Sequence, residues 1–129
     1  MKTIRDVMTP DPISIEPGHS LIDAIELLME YEISGLPVVD ANDAIVGVLS
    51  ERDLLKTYQD PAARSVSDVM TRDVVSISVD APLVEVVDCI MSSDFRRVLI
   101  HDRGRLAGLV SRADLMPVVL DMLRAQQAG

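Results

Sequence analysis

The sequence predicts an α/β fold of the α+β type, built from two repeats of order β-α-β-β-α that are related by a pseudo-twofold axis. Three observations predict it. Two long segments of the 129-residue chain match each other in order and spacing. Short runs rich in Val and Ile alternate with turn residues, as strands do. Between these runs, apolar residues recur at helical spacing.

The internal repeat fixes the domain organisation. Asp6-Val7-Met8-Thr9 recurs as Asp68-Val69-Met70-Thr71, and Gly47-Val48-Leu49-Ser50 recurs as Gly108-Leu109-Val110-Ser111. The first pair is offset by 62 residues and the second by 61. We therefore divide the chain into a first repeat at 4–58, a linker at 59–65, a second repeat at 66–119 and a helix end or tail at 120–129.

The first repeat shows its elements in chain order. Ile13-Ser14-Ile15 predicts a short strand, and Pro17-Gly18 predicts a turn. Ser20-Leu21-Ile22-Asp23 is typical of a capping box, and the helix that follows is expected to stop at Gly35. Two further strands and a turn complete the repeat: Leu36–Val39, the turn Asp40–Asp43, and Ile45–Leu49. Ser50 then opens a second helix of about two turns.

The second repeat predicts the same order. Its elements are the strand Val74–Ile77, the helix Leu83–Met91, the strands Val98–His101 and Leu106–Val110, and the helix Ser111–Val119. One repeat alone buries a low fraction of its surface, so we expect the two repeats to bury their sheets together. Exposed helices of such a pair bury further surface in an oligomer, and we expect a homodimer.

Composition and charge disfavour several classes of function. The net charge of −9 disfavours a nucleic-acid-binding surface. Residues 4–58 hold 11 acidic and 3 basic residues, whereas residues 66–118 hold 8 and 6, so an anionic ligand is expected to find its counter-charges in the second half. Cys89 is the only cysteine, and His19 and His101 lie at no recognisable metal-ligand spacing, so no metal site is expected. No apolar run is long enough to span a membrane, and we expect a cytoplasmic protein.

The repeat resembles the CBS domain family over nearly its whole length. The resemblance rests on Val7-Met8-Thr9, on Gly35-Leu36-Pro37-Val38-Val39-Asp40, and on two copies of one pattern. That pattern is Gly, an apolar residue, any residue, Ser or Thr, any two residues and Asp. Those copies are Gly47–Leu54 and Gly108–Leu115. The resemblance implies a tandem CBS pair, or Bateman module, with two clefts between the repeats that hold AMP, ADP, ATP or S-adenosylmethionine. It also implies a stand-alone regulatory protein with no catalytic residues and no bound cofactor.

The family places the Asp of this pattern on ribose hydroxyls and completes each cleft with strand residues of the other repeat. The resemblance thus implies a first cleft in which Val75 and Phe95 flank adenine and the two arginines meet phosphate. The residues of this cleft are Ser50, Asp53, Val75, Phe95, Arg96 and Arg97.

The second cleft has Ser34-Gly35 where the first has its arginine pair, so we expect it to bind a less charged ligand, or to bind more weakly. Asp53 and Arg97 are accordingly expected to contribute more than Asp114. The residues of this cleft are Met8, Ile13, Ile33, Ser34, Gly35, Ser111, Arg112 and Asp114.

Each of these features also has a structural interpretation. The spacing of Ser50 and Asp53, and of Ser111 and Asp114, suits a helix cap that needs no ligand. Arg96 and Arg97 suit a solvated pair at a strand entrance, Phe95 suits a core position, and Arg112 suits the surface of a first helical turn.

Three functions remain open from the sequence. The first is a regulatory module that senses an adenosine-containing nucleotide and signals to a protein effector. The second is a ligand-free dimerisation and protein-interaction module. The third, an enzyme such as a phosphohydrolase, is disfavoured because the sequence has no phosphate loop, metal cluster or nucleophile constellation.

Overall fold

The structure, a computed structural model, describes residues 2–92 and 97–128. The chain forms two compact units. The first unit is Ile13–Val74, and the second unit is Met1–Pro12 together with Val75–Gly129. The opening segment of each repeat therefore lies in the unit that contains most of the other repeat.

The first unit is built on an antiparallel pair of strands, β2 (Gly35–Val39) and β3 (Ile45–Ser50). Ile15 bridges to Val38 in parallel on one side of the pair, and Thr71 bridges to Val48 in antiparallel on the other. The helices of this unit are α2 (Leu21–Glu30), α3 (Glu51–Leu55), a 3-10 turn at Lys56–Tyr58, and α4 (Val66–Val69). Its core is aliphatic and contains Leu28, Leu36, Val38 and Leu49.

The second unit repeats this plan with longer ladders. Its four-stranded sheet has the order β1-β6-β5-β4, with β4 parallel to β5 and the other pairs antiparallel. The strands are β1 (Thr9–Pro10), β4 (Ser76–Ser78), β5 (Arg97–Asp102) and β6 (Arg105–Ser111). The helices are α1 (Ile4–Val7), α5 (Leu83–Ser92) and α6 (Arg112–Ala128). Ile4, Val86, Ile100 and Val110 lie fully buried in its core.

Two sequence-based predictions about the first repeat are wrong in detail. Ile13–Ile15 does not form a regular strand, because Pro12 precedes it, the Pro17-Gly18 turn follows, and only Ile15 enters the ladder. Gly35 does not stop α2. The helix ends at Glu30, Glu32 takes a left-handed conformation with φ of 52°, and the Ile33 N–H donates to the Leu28 carbonyl as in a Schellman motif.

The remaining elements confirm the predicted order, with shifts at their ends. The last helix extends beyond Val119 to Ala128, with Pro117 inside it. The short helices α1 and α4 and the strand β1 were not predicted, because segments of two to four residues carry too little periodicity to be recognised.

The Asp of each repeated Asp-Val-Met-Thr segment stabilises the turn that begins α1 or α4. The Asp6 carboxylate accepts a 2.8 Å hydrogen bond from the Thr3 N–H, and the Asp68 carboxylate accepts 2.9 and 3.0 Å bonds from the Arg64 and Ser65 N–H groups. These backbone donors lower the pKa of both carboxyls from the ordinary value of 3.8, since they stabilise the charged form. The repeated aspartates are therefore structural.

Candidate functional site

The Ser50–Asp53 element begins α3 with a reciprocal cap. The Asp53 N–H donates to the Ser50 hydroxyl oxygen at 3.1 Å, and the Ser50 N–H donates to Asp53 Oδ2 at 3.0 Å. The structural interpretation of this spacing is therefore confirmed in its geometry, although a cap of this kind does not exclude a second role for the carboxylate.

Two further donors reach the Asp53 carboxylate. The Thr71 hydroxyl donates to Oδ1 at 3.1 Å and lies 3.3 Å from Oδ2, and the Lys56 ammonium donates to Oδ1 at 3.1 Å. Asp53 is only 4% exposed, and it is the one charged residue among the described residues that is buried. A buried carboxylate needs such partners, because an unpaired charge away from water is costly. Neither Thr71 nor Lys56 was among the site residues predicted from the sequence.

The Ser111–Asp114 element begins α6 with the same cap but a more open carboxylate. The Ser111 N–H and hydroxyl both donate to Asp114 Oδ2, at 2.8 and 3.0 Å, and the Asp114 N–H donates to the Ser111 hydroxyl oxygen at 3.3 Å. Within residues 2–92 and 97–128, Oδ1 of Asp114 accepts no hydrogen bond, and the residue is half-buried. Among the described residues, one carboxylate oxygen is therefore left open to a further donor.

Sequence differences explain why the two elements are not equivalent. Pro117 occupies in the second repeat the position that Lys56 has in the first, so Asp114 has no ammonium three residues along its helix. Thr9, the counterpart of Thr71, is exposed and makes no bond to Asp114 in the described part of the chain. The lysine follows Asp53 at i+3, a spacing at which helical side chains meet, so sequence alone could have indicated this ion pair.

Arg97 lies next to the second element within the same unit. It is the first residue of β5, and its Cα is paired with that of Ser111 on β6. Paired residues of an antiparallel ladder project from the same face of the sheet. The Arg97 side chain therefore projects from the sheet face that carries the Ser111 cap. Gly35 is the corresponding partner of Ser50 in the first unit, and it offers no side chain there.

The other predicted site residues are distributed over both units. Val75 and Arg112 are exposed, and Met8 is half-buried in the second unit. Ile13, Ile33 and Gly35 are half-buried and Ser34 is exposed in the first unit. Phe95 and Arg96 lie outside the described residues. Each predicted cleft draws on residues of both units, so its assembly stays a prediction.

The first unit also contains a cavity of about 530 Å³ that is separate from these residues. Its lining includes Glu16, Asp23, Glu26, Glu30, Asp40 and Asp43. Six carboxylates disfavour an anionic nucleotide there, since like charges repel. The part of the chain that the structure describes contains no group of three or more His, Cys, Asp or Glu side chains arranged to hold a metal ion.

Comparison with known proteins identifies the repeat. The CBS domain family model matches residues 4–60 and again residues 66–121. The crystal structure of CBSX2 in complex with AMP is 31% identical, covers 95% of this chain and 98% of its own, and superposes with a TM-score of 0.83. A putative acetoin utilization protein, AcuB from Vibrio cholerae, is 26% identical, covers 100% of this chain and 98% of its own, and has a TM-score of 0.85.

Matches to curated proteins are partial. Inosine-5'-monophosphate dehydrogenase of Methanocaldococcus jannaschii is 33% identical over 117 residues, which is 90% of this chain but 23% of that enzyme. The corresponding enzyme of Nitrosopumilus maritimus is 34% identical over 116 residues, 24% of its length. This chain therefore spans about a quarter of the length of each of these two enzymes. None of the helices described is both long and apolar enough to cross a membrane.

Proposed function

The chain belongs to the CBS domain family, and on that premise we propose that it is a regulatory module that binds an adenosine-containing ligand and transmits the change to a partner protein. The proposed ligands are AMP, ADP, ATP and S-adenosylmethionine. The observation that carries the proposal is the AMP complex of CBSX2, whose structure matches this chain over 95% of its length.

The chemistry of the two Ser-x-x-Asp elements supports the proposal. A carboxylate accepts hydrogen bonds from ribose hydroxyls, and the N-terminus of a helix favours a phosphate through its free N–H groups and its dipole. Arg97, paired with Ser111 across the ladder, adds a guanidinium that suits phosphate oxygens. These features together favour a nucleotide over an uncharged nucleoside.

Transmission would follow from a difference in affinity. A ligand shifts an equilibrium between two arrangements only by the ratio of its affinities for them. The proposed partner protein would bind one of the arrangements in preference to the other. The identity of that protein and the cytoplasmic location stay predictions.

An enzymatic activity is not part of the proposal. The similarity to the Methanocaldococcus jannaschii dehydrogenase covers 23% of that enzyme, so its reaction does not carry over to this chain. Incubation with ATP and magnesium should yield no product, and product formation by the purified protein would contradict a purely regulatory role.

A ligand-free interaction module is the second candidate function. The Asp53 network favours it, because a buried carboxylate that already has three donors serves folding without a ligand. Under this alternative, the protein would act through its exposed apolar helix surfaces alone.

Thermal unfolding with a panel of adenine and guanine nucleotides and S-adenosylmethionine separates the two candidates. A ligand at 100 times its dissociation constant adds about 2.7 kcal/mol, which raises the Tm of a chain this size by several degrees. We expect such a shift with an adenosine compound and its loss in the double variant Asp53→Asn/Asp114→Asn. Absence of any shift would favour the interaction module.

A further inference from the structure

Lys56 distinguishes the two ligand-binding elements. We propose that its ammonium competes with a ligand for the Asp53 carboxylate, so that no ligand binds at the Asp53 element. The chain would then bind one adenosine-containing ligand, at the Ser111–Asp114 element, rather than two. This inference rests on the proposed function and deepens it, because it assigns the site and names a residue that sets the number of ligands.

Both oxygens of the Asp53 carboxylate already accept hydrogen bonds. A carboxylate offers about four acceptor positions, and a ribose diol would use two of them. Oδ2 accepts from the Ser50 N–H at 3.0 Å, and Oδ1 accepts from the Thr71 hydroxyl and the Lys56 ammonium, each at 3.1 Å. A diol therefore binds only if one of these donors leaves.

The three donors to Asp53 differ in how readily they can leave. The Ser50 N–H is backbone and belongs to the cap of α3. The Thr71 backbone is held by a reciprocal pair of 2.9 Å hydrogen bonds with Val48, and its short, half-buried side chain has less conformational freedom than that of Lys56. Lys56 has a flexible side chain that is 57% exposed, and it forms the only ion pair that Asp53 makes among the described residues. Lys56 is the donor that a ligand would have to displace.

The Ser111–Asp114 element of the second unit differs from the Asp53 element in its donors. Asp114 has a carboxylate oxygen without a described donor, and Pro117 stands where a lysine would compete for it. Arg97 is paired with Ser111, whereas Gly35 is paired with Ser50. Among the described residues, the element with an open acceptor thus also has an arginine paired across the ladder, and a guanidinium suits the phosphate of a phosphorylated ribose. This geometry favours Asp114 over Asp53, the reverse of the order expected from the sequence.

Calorimetric titration of the full chain with AMP tests the proposal through stoichiometry. We expect one binding event per chain in the wild type and a second event in Lys56→Met, a variant that keeps the apolar stem and removes the ammonium. Lys2→Met is the matched control, since Lys2 is the only other lysine, is exposed, and its loss changes the net charge equally. The control should keep one event.

Variants of the two aspartates identify which carboxylate the single bound ligand contacts. Asp114→Asn should weaken it about tenfold or more, because an acceptor in a charge-assisted hydrogen bond is lost. Asp53→Asn added to Lys56→Met should remove the second event, since the proposal assigns that event to the Asp53 carboxylate. Melting curves of the unliganded variants would confirm that each is folded before titration.

The possible failures are distinguishable. Two events in the wild type, a single event in Lys56→Met, or loss of binding in Asp53→Asn with retention in Asp114→Asn would each overturn the role of Lys56 and leave the proposed function standing. Absence of binding of AMP, ADP, ATP and S-adenosylmethionine alike, in the wild type and in every variant, would overturn the proposed function together with this inference.

Discussion

Asp53 and Asp114 show how one residue type at equivalent positions takes two different environments. Asp53 is buried with donors from Ser50, Lys56 and Thr71, whereas Asp114 is half-buried and bonded through Ser111 alone in the described residues. Thr71 is separated from Asp53 by 18 residues, so this hydrogen bond connects the opening segment of the second repeat to the cap of α3.

Replacement of Thr71 by Val should lower the free energy of unfolding by about 1 to 2 kcal/mol, because a buried carboxylate loses a hydroxyl donor while the side-chain shape is kept. Chemical denaturation with both variants measured side by side checks this. Thr9→Val is the matched control, since Thr9 is the repeat counterpart, is exposed, and should change stability by less than about 0.5 kcal/mol. Equal losses in the two variants would contradict a specific role for the Thr71 hydroxyl.

At the scale of elements, the repeated glycine of the Gly-Val-Leu-Ser pattern allows the Met-Thr segment to lie against the strand. A Cβ built on Gly47 would lie 2.8 Å from the Thr71 carbonyl oxygen and 3.1 Å from Met70 Sδ. In the second unit, a Cβ on Gly108 would lie 2.5 Å from Met8 Sδ and 3.0 Å from the Thr9 carbonyl oxygen. The Met-Thr segment of each unit can therefore pack against the strand only because positions 47 and 108 are glycine.

Gly47→Ala should lower the free energy of unfolding by about 1 to 3 kcal/mol, since the atom it meets first is backbone that β3 holds in place. The same denaturation experiment on Gly18→Ala supplies the control. A Cβ on Gly18 meets no atom within 4 Å, so that variant should stay within about 0.5 kcal/mol of the wild type. An unchanged midpoint in Gly47→Ala would show that the Met-Thr segment is not held against β3.

For the whole molecule, the exposed apolar residues on the long helices support the proposed homodimer. Met29 on α2 is 74% exposed and Met91, its counterpart on α5, is 80% exposed. Met116 and Leu123 on α6 are exposed as well. Apolar side chains that recur on several helices of a chain this small are typical of surfaces that associate.

Light scattering coupled to size-exclusion chromatography should give twice the chain mass of 14.1 kDa for the wild type. The double variant Met29→Glu/Met91→Glu should elute as a monomer with unchanged helical circular dichroism, because buried charges oppose association. Tyr58→Glu, at an exposed aromatic residue of the 3-10 turn, should remain a dimer. A wild-type mass of one chain would contradict the dimer.

Much of the fold could be predicted from local patterns. The strands β2, β3, β5 and β6 and the helices α2 and α5 follow from β-branched runs and helical spacing, so their identity was correct and only their ends moved. The end of α2 was misplaced because Glu32, and not the glycine further on, takes the left-handed conformation. A non-glycine residue in that region carries no reliable sequence signal.

Of the candidate site, the sequence by itself determined the repeat, the family, and the two Ser-x-x-Asp caps, because these depend on residue identity at short spacing. Only the tertiary structure decided that the opening segment of each repeat belongs to the unit of the other. It also decided that Thr71 reaches Asp53, whereas one oxygen of Asp114 accepts no bond from residues 2–92 and 97–128. Those features depend on contacts between residues far apart in the chain, and the burial and hydrogen bonding that result are properties of the packed fold rather than of any local pattern.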